Sequence, residues 1–338
     1  MKAKFVLSKQ KLMEQYDLIR RECDIVSYSL KTNPLVGELL SSTDCWFSVH
    51  SIEGLKRVED KSRCLFFSQA WNSEKIGELL SLGVRRFAVD NKNDLDVLVK
   101  TLESRQEKVL IFLRMRLKER TVHTGKHFVF GLFAQEVNEI VKELKNNKNV
   151  ELGIHFHRKT QNIHEWSMQY ELKDSLTEET LNSIKYMNIG GGMPVKYKNS
   201  RDRLEHVFNE IRKLKEWLKE YNVQIITEPG RFLAAPCIEL HAEIINVYKN
   251  NIVINCSVYN AAMDTFIANV RLEVEGELEK GEAYTIKGCT PDSVDIFRYR
   301  VFLNNPKVGD VLIFKNAGAY NFHSDFCFLE KIKNEIIN

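Results

Sequence analysis

The sequence contains no long apolar run and no strong excess of either charge. No window of roughly 18 consecutive apolar residues occurs, so a membrane-spanning helix is not expected. The N-terminal stretch has an apolar run of only three residues, which argues against a signal peptide. The 49 basic and 46 acidic residues leave a net charge of +3, so neither nucleic acid nor membrane is expected as a partner.

The cysteines are scattered along the chain, and prolines are few. The seven cysteines are odd in number and form no C-x-x-C motif, which favours reduced thiols in a cytoplasmic protein over a disulfide framework. Six prolines and 16 glycines exclude a low-complexity chain. With 338 residues, of which 43% are hydrophobic, the chain is long and apolar enough for about two folded domains.

Short apolar runs alternate with helical periodicity over the first two thirds of the chain. Each run has the length of a strand, and most are too continuously apolar for one face to meet water. Eight such runs predict an α/β fold, a (β/α)8 barrel, with a doubly wound open sheet as the alternative. The runs are Ile25–Leu30, Cys45–Val49, Cys64–Ser68, Arg86–Val89, Val109–Arg114, Leu152–Phe156, Tyr186–Ile189 and Gln224–Thr227.

The pattern changes after about residue 234. Closely spaced β-rich runs separated by turn signals predict an antiparallel β-domain over residues 234–338, after a barrel over residues 1–233. The predicted strands are Ile238–Val247, Ile252–Tyr259, Val270–Val274, Ala283–Ile286, Val301–Leu303, Val311–Phe314 and Phe326–Leu329.

Unusual residues follow the last two barrel strands. Gly190, Gly191 and Gly192 come after the seventh strand, and Glu228-Pro-Gly-Arg231 comes after the eighth. Active sites of such barrels lie at these strand ends, and the last two loops often bind phosphate. Glycine lets backbone N–H groups approach a phosphate closely, although three glycines also suit a tight turn.

A lysine and a histidine pair stand at two other strand ends. Lys31 closes an otherwise apolar strand, where burial would lower its pKa and make it a Schiff-base nucleophile, unless it is simply solvated. His155 and His157 alternate on the sixth strand, so the second reaches the barrel mouth.

The chain resembles the fold-type III pyridoxal-phosphate (PLP) decarboxylases. These include ornithine, lysine, diaminopimelate and carboxynorspermidine decarboxylases and are related to alanine racemase, with its TIM barrel followed by a β-domain. The resemblance rests on six segments in order: the one containing Lys31, Phe156-His157, Gly190–Gly192, Glu228–Arg231, Gly288–Asp292 and Ala317–Tyr320.

The resemblance implies a role for each matched residue. Lys31 would bind PLP covalently, and His157 would stack on the pyridine ring. Glu228 would pair with the pyridine nitrogen, which favours decarboxylation over racemisation because related racemases have an arginine there. The phosphate would be surrounded by Thr160, Gly190, Gly191, Gly192, Arg231 and Tyr320.

The segment Gly288–Ser293 departs from the family's G-P-T-C-D-S. In the family, that cysteine comes from the partner subunit and protonates the substrate carbon after CO2 loss, so the resemblance implies a homodimer. Here Pro291 takes its place, and Cys289 is either a replacement donor or a buried bystander. Asp292 matches the acid that binds a distal substrate amine, and Asp264 is a candidate second acid.

Further departures separate the chain from a standard ornithine decarboxylase. The family's acid after the second strand is replaced within Phe47–His50, and the turn Arg158–Gln161 lacks the usual glycine. The stretch His164–Leu176 is a candidate specificity loop. An N-terminal strand of the β-domain is expected to be short or missing.

These observations predict a PLP-dependent decarboxylase acting on a small-molecule, α-amino-acid-type substrate. Ornithine, lysine and diaminopimelate are candidates. A carboxylated polyamine, or a 3-amino-3-carboxypropyl conjugate in a biosynthetic pathway such as polyamine biosynthesis, fits the departures as well. An amino-acid racemase or epimerase and a non-catalytic, decarboxylase-like regulator remain alternatives. No metal site is expected.

Overall fold

The computed structural model describes residues 1–67, 69–105, 107–117, 130–162, 166–200, 203–321 and 323–338. The chain divides into two compact units. The first comprises Leu18–Met193 and Arg203–Pro229, and the second comprises Met1–Asp17, Pro194–Asp202 and Gly230–Asn338. The segments Met1–Asp17 and Pro194–Asp202, which precede the boundary predicted near residue 233, therefore group with the second unit.

One strand of the second unit precedes the barrel in the chain, namely β1 (Lys4–Ser8). The next eight strands form a closed barrel in which every neighbouring pair is parallel. They are β2 (Ile25–Ser29), β3 (Trp46–Val49), β4 (Cys64–Phe67), β5 (Arg86–Val89), β6 (Val109–Arg114), β7 (Val150–His155), β8 (Tyr186–Asn188) and β9 (Gln224–Thr227).

Closure between the first and last barrel strands decides the architecture. Ile25 and Val26 of β2 pair with Ile226 and Thr227 of β9, so the open-sheet alternative is excluded. All eight predicted runs form strands, and the (β/α)8 barrel is confirmed. Ser68, the predicted end of the third run, lies outside the described residues. Apolar side chains such as Phe112 fill the barrel, as continuous apolar runs require.

Helices connect the strands and begin at recognisable caps. Asn33, Asn72 and Asn91 each cap a helix by accepting a backbone N–H bond with the side chain. The helices are α1 (Lys9–Glu22), α2 (Pro34–Leu40), α3 (Ile52–Lys56), α4 (Ser73–Ser81), α5 (Lys92–Glu103), α6 (Ala134–Leu144), α7 (Met168–Ser175), α8 (Glu178–Ser183), α9 (Leu204–Lys219), α10 (Arg231–Ala234), α11 (Val258–Ala261) and α12 (Asp264–Ile267). Among the described residues, no helix combines the length and the apolar character needed to cross a membrane.

A largely antiparallel sheet dominates the second unit, as predicted. Its strand order is β12-β15-β10-β11-β13-β14, and β1 pairs with β10 and with β16. The pairs β11–β13 and β1–β16 are parallel. The remaining strands are β10 (Ile238–Tyr248), β11 (Asn251–Ile254), β12 (Glu273–Val274), β13 (Leu278–Lys287), β14 (Ile296–Phe302), β15 (Val311–Lys315) and β16 (Lys333–Ile337).

The sheet differs from the sequence prediction at several strands. A short or missing N-terminal strand was expected, and β1 is present and five residues long. β16 was not predicted, and only Glu273–Val274 of the predicted strand Val270–Val274 is a strand. The predicted strand Ile252–Tyr259 ends at Ile254, because the Ser257 side chain accepts the Tyr259 N–H and starts α11. The predicted strand Phe326–Leu329 is instead a 3-10 turn, in which Cys327 has a φ of 63° and Phe328 is 99% exposed.

Candidate active site

The C-terminal mouth of the barrel holds a cavity of about 520 Å³. Titratable side chains from the ends of six strands line it, which is where this architecture places catalytic groups. They are Lys31, His50, Asp90, Arg114, His155, His157 and Glu228. The structure thus brings Lys31, His157 and Glu228, which the sequence placed at separate strand ends, to one cavity.

Lys31 lies in the 3-10 turn Leu30–Thr32 that follows β2. The turn ends at Asn33, whose side chain caps α2 while Pro34 occupies the first helical turn. The Tyr28 hydroxyl donates to the Asn33 carbonyl over 3.0 Å, which ties the turn back to the strand. Burial lowers the pKa of Lys31, against the opposing charge of Glu228, so its amine is a better nucleophile than a solvated lysine.

Glu228 is a buried carboxylate surrounded by polar side chains from three other strands. Its Oε1 accepts hydrogen bonds from Ser48 Oγ at 2.7 Å and from Asn188 Nδ2 at 3.0 Å. Its Oε2 lies 3.4 Å from His155 Nε2. Burial raises the pKa of Glu228, but the neighbouring histidines and these hydrogen bonds outweigh burial and lower it to about 2. Glu228 is therefore ionised at neutral pH.

The glycine loop after β8 packs tightly on its neighbours. Gly190 and Gly192 have φ of +66° and +93°, which favours glycine. A Cβ at Gly191 would lie 2.5 Å from the Glu228 carbonyl oxygen, and one at Gly192 would lie 2.7 Å from the Lys159 carbonyl oxygen. The glycines are therefore required by close backbone packing as well as by the turn.

His157 and Thr160 lie beside this loop. The Gly191 N–H donates to His157 Nδ1 over 3.2 Å, which sets the orientation of the ring. Desolvation lowers the pKa of His157 to about 4, so the imidazole is neutral at pH 7. The Asn162 N–H donates to the Gly192 carbonyl over 3.0 Å and holds the turn containing Thr160 against the glycines.

Arg231 and Tyr320 belong to the second unit. The Arg231 guanidinium is buried and donates through both terminal nitrogens to Asp264, and through Nη1 to Tyr197 Oη at 3.0 Å. The Tyr320 ring lies 5.2 Å from Arg231 Cζ. The expectation that Asp264 binds a substrate amine does not fit this arrangement, because both of its oxygens accept from Arg231.

The loop between β13 and β14 contains Cys289 and Asp292. Buried Asp295 organises it by accepting hydrogen bonds from the Thr290 N–H and hydroxyl and from the Val258 N–H. Cys289 is exposed, so it is not the buried bystander considered above. Partial desolvation and the negative charge of Asp295 raise the pKa of its thiol. Asp292 accepts a hydrogen bond from Tyr259 Oη at 3.0 Å.

Comparison with known families connects this geometry to a chemistry. The family model "Pyridoxal-dependent decarboxylase, pyridoxal binding domain" matches residues 9–235. The chain belongs to the pyridoxal-dependent decarboxylases. The model of the family's C-terminal sheet domain matches residues 237–318. The protein is therefore a PLP-dependent amino-acid decarboxylase, as the sequence predicted.

Relatives of this decarboxylase act on different substrates. It is 24% identical, over 78% of this chain and 74% of the relative, to the 2-[(L-alanin-3-ylcarbamoyl)methyl]-2-hydroxybutanedioate decarboxylase of Staphylococcus aureus. It is 22% identical to the diaminopimelate decarboxylase of Zymomonas mobilis, over 88% of this chain and 76% of that enzyme. The two family models support the shared cofactor chemistry, and identities this low do not identify the substrate.

Solved structures of decarboxylases share the fold. The diaminopimelate decarboxylase of Helicobacter pylori, complexed with L-lysine, superposes with a TM-score of 0.82 at 18% identity, covering 100% of this chain and 92% of that one. The lysine/ornithine decarboxylase of Vibrio vulnificus, complexed with putrescine, gives a TM-score of 0.79 at 21% identity, covering 99% and 94%.

The barrel mouth of the decarboxylase fits PLP in chemistry and size. Lys31 offers an amine with a lowered pKa, and Glu228 offers a buried anion that suits a protonated pyridine nitrogen. The cavity volume is within the range of small-molecule sites, about 300–1,000 Å³.

Sequence reasoning did not predict several groups in this cavity. Ser48 stands in the segment where the family's acid is replaced, and it bonds Glu228 instead. Asn188 donates to Glu228 and accepts the Gly190 N–H at 2.9 Å, so it links the carboxylate to the glycine loop. Arg114 forms a 3.1 Å ion pair with Asp90. Ser48, Asn188, Arg114 and Asp90 all lie at or near the ends of barrel strands. That position in the sequence could have identified them as candidate site residues. Residues 164 and 165 of the candidate specificity loop His164–Leu176 lie outside the described residues.

Proposed function

We propose that the decarboxylase removes the α-carboxylate of an α-amino acid whose side chain ends in a distal amine or a larger polar group. The observation that supports it most is the buried, ionised Glu228 in the same cavity as Lys31. Ornithine, lysine, diaminopimelate, a carboxylated polyamine and a 3-amino-3-carboxypropyl conjugate are the candidate substrates. The Staphylococcus aureus relative, named for a conjugated amino acid, favours including conjugates.

Different residues around the cavity would bind different parts of the cofactor. Lys31 would provide the covalent attachment, His157 would pack against the ring, and Glu228 would pair with the ring nitrogen. Thr160, Gly190, Gly191 and Gly192 would hold the phosphate. When bound, PLP supplies the electron sink that makes loss of CO2 from the α-carbon favourable.

The protein's own groups control charge and protons around that chemistry. The Glu228 carboxylate would favour a protonated ring nitrogen, because a fixed negative charge stabilises the protonated form. His157 is neutral at pH 7, so it would add no competing positive charge beside the cofactor ring. Burial lowers the pKa of Lys31, so at a given pH a larger fraction of its Nζ is unprotonated than in a solvated lysine.

Cys289 is the proposed proton donor to the α-carbon, presented to the site of a partner subunit in a homodimer. Its exposed thiol on the β13–β14 loop supports this role, and its raised pKa keeps the thiol protonated at neutral pH.

Cys289→Ala should lower kcat about 100-fold, the size expected for losing a general acid. Cys237→Ala, at a buried cysteine, controls for thiol removal.

Mixing the variants tests the shared site. Lys31→Ala and Cys289→Ala homodimers should both be nearly inactive, but remixed subunits should recover about a quarter of wild-type activity, because each mixed dimer has one intact site. Wild-type activity of Cys289→Ala would rule out the donor. Mixed dimers that form without recovering activity would rule out the shared site.

A substrate screen tests the proposed substrate class. The PLP-loaded enzyme is given diamino acids, aminocarboxypropyl conjugates and apolar amino acids, and CO2 release is measured. We expect release from a member of the first two groups. If the distal group is an amine, Asp292→Asn should raise KM about tenfold or more, because a charged hydrogen bond is lost. Glu279→Gln, at an exposed acid of β13, should leave KM unchanged. Turnover of apolar amino acids alone would contradict the proposal.

A further inference from the structure

His155 is a buried histidine whose ring nitrogens are not satisfied. The side chain is 2% exposed, and neither Nδ1 nor Nε2 makes a hydrogen bond within the described part of the chain. A buried polar atom left in this state destabilises the fold, because it has lost its hydrogen bonds to water without replacing them. Such a group commonly has a functional reason to be where it is.

The surroundings of His155 direct one nitrogen at a single acceptor. Nε2 lies 3.4 Å from Glu228 Oε2, so a small approach of the two side chains would complete a hydrogen bond. The Phe67 ring meets the imidazole edge-on at 5.1 Å between centroids, which restricts rotation of the histidine. Ser48 and Asn188 bond Oε1, so Oε2 is the Glu228 oxygen that faces His155.

We propose that His155 is a positioning residue, which donates its Nε2–H to Glu228 and so keeps that carboxylate ionised and correctly oriented toward the cofactor. A third donor strengthens the preference of a buried carboxylate for its charged form. It also fixes the direction of Oε2, as outer hydrogen bonds do for groups that contact a cofactor or metal. This inference rests on the proposed role of Glu228.

Other charged groups share the cavity and contribute to its pH response. Besides Glu228 they are Lys31, His50, Lys75, Asp90, Arg114 and His157. Burial and the positive charge of Lys31 lower the pKa of His50 to about 4, and that of His157 is also about 4. Both histidines are neutral above pH 5. The acid limb is the fall of kcat/KM at low pH. If this limb moves when His155 is replaced, the shift reports on the His155–Glu228 pair, because the other two histidines are already neutral above pH 5.

The test compares His155→Leu, which removes the donor, with His155→Gln, which retains an amide donor. His206→Gln, at an exposed position of α9, is the matched control. We expect His155→Leu to weaken PLP binding about tenfold or more and to move the acid limb of kcat/KM to higher pH, because protonated Glu228 loses its charge. His155→Gln should restore part of both effects.

A second measurement uses the cofactor-free protein and separates this inference from the proposed function. Long-range 1H–15N NMR of labelled histidines should show His155 as the Nε2–H tautomer, and Glu228→Gln should change its shifts. If the tautomer is Nδ1–H, or if Glu228→Gln leaves the shifts unchanged, the inference is wrong even in an active enzyme. Unaltered PLP affinity and acid limb in His155→Leu would also overturn it. A correct NMR coupling in a protein that decarboxylates no substrate would contradict the proposed function alone.

Discussion

Lys31→Ala should abolish covalent attachment of PLP and lower kcat by on the order of 10³-fold or more, the loss typical of removing a central catalytic group. Lys31 is the lysine at the end of β2 that lines the barrel cavity, and burial lowers its pKa. Borohydride reduction of the wild-type holoenzyme should fix the cofactor to the peptide containing Lys31. The same treatment of Lys31→Ala should fix none.

The matched control for this prediction is Lys56→Ala, which removes an exposed lysine from α3. It should keep both covalent cofactor and kcat. Thermal unfolding of the cofactor-free Lys31→Ala protein should match wild type, which distinguishes a lost attachment point from a lost fold. Retention of reducible, covalently bound cofactor by Lys31→Ala would show that another amine is the attachment site.

Glu228→Gln should lower kcat about 10²–10³-fold, the range for removing a group that stabilises charge in the reaction. The substitution keeps shape and hydrogen-bonding capacity but removes the negative charge that opposes the ring nitrogen. Because the pKa of Glu228 is lowered to about 2, wild-type Glu228 stays ionised as the pH falls to about 3. Steady-state kinetics from pH 5 to 8 should therefore show the kcat deficit of Glu228→Gln at every pH.

Two comparisons make this result specific. Glu205→Gln, at an exposed position of α9, should behave as wild type. Ser48→Ala removes one of the donors to Oε1 and should have a smaller effect than Glu228→Gln, because Asn188 still donates to the same oxygen. A kcat for Glu228→Gln within twofold of wild type would mean that the charge has no part in the reaction.

The barrel was predictable because its signal is local and strong. Strands such as Val109–Arg114 are buried on both sides, so they appear in the sequence as continuous apolar runs. β1 and β16 gave no comparable signal. Every residue of β16, Lys-Asn-Glu-Ile-Ile, is exposed, and the strand is defined by backbone pairing with β1. Phe326 and Phe328 imitate a strand in composition but are exposed on a turn.

The same contrast applies to the site. Lys31, His157 and Glu228 follow strands directly, so the barrel rule predicts that their side chains meet at one mouth. The hydrogen bonds of Glu228 with Ser48 and Asn188 join residues 180 and 40 positions apart. Sequence spacing alone does not reveal which residues at the barrel mouth form hydrogen bonds with each other. The pairing of Arg231 with Asp264 was missed for this reason, since a carboxylate near an expected amine site looks equally suited to a substrate.

The most direct test of the account follows the α-carbon during turnover in D2O. The PLP-loaded enzyme should release one CO2 per product molecule, the product should contain one deuteron at the former α-carbon, and recovered substrate should contain none. This outcome follows if Glu228 supports decarboxylation and a donor protonates the carbon afterwards. Deuterium entering the recovered substrate without CO2 release would indicate a racemase and contradict the account.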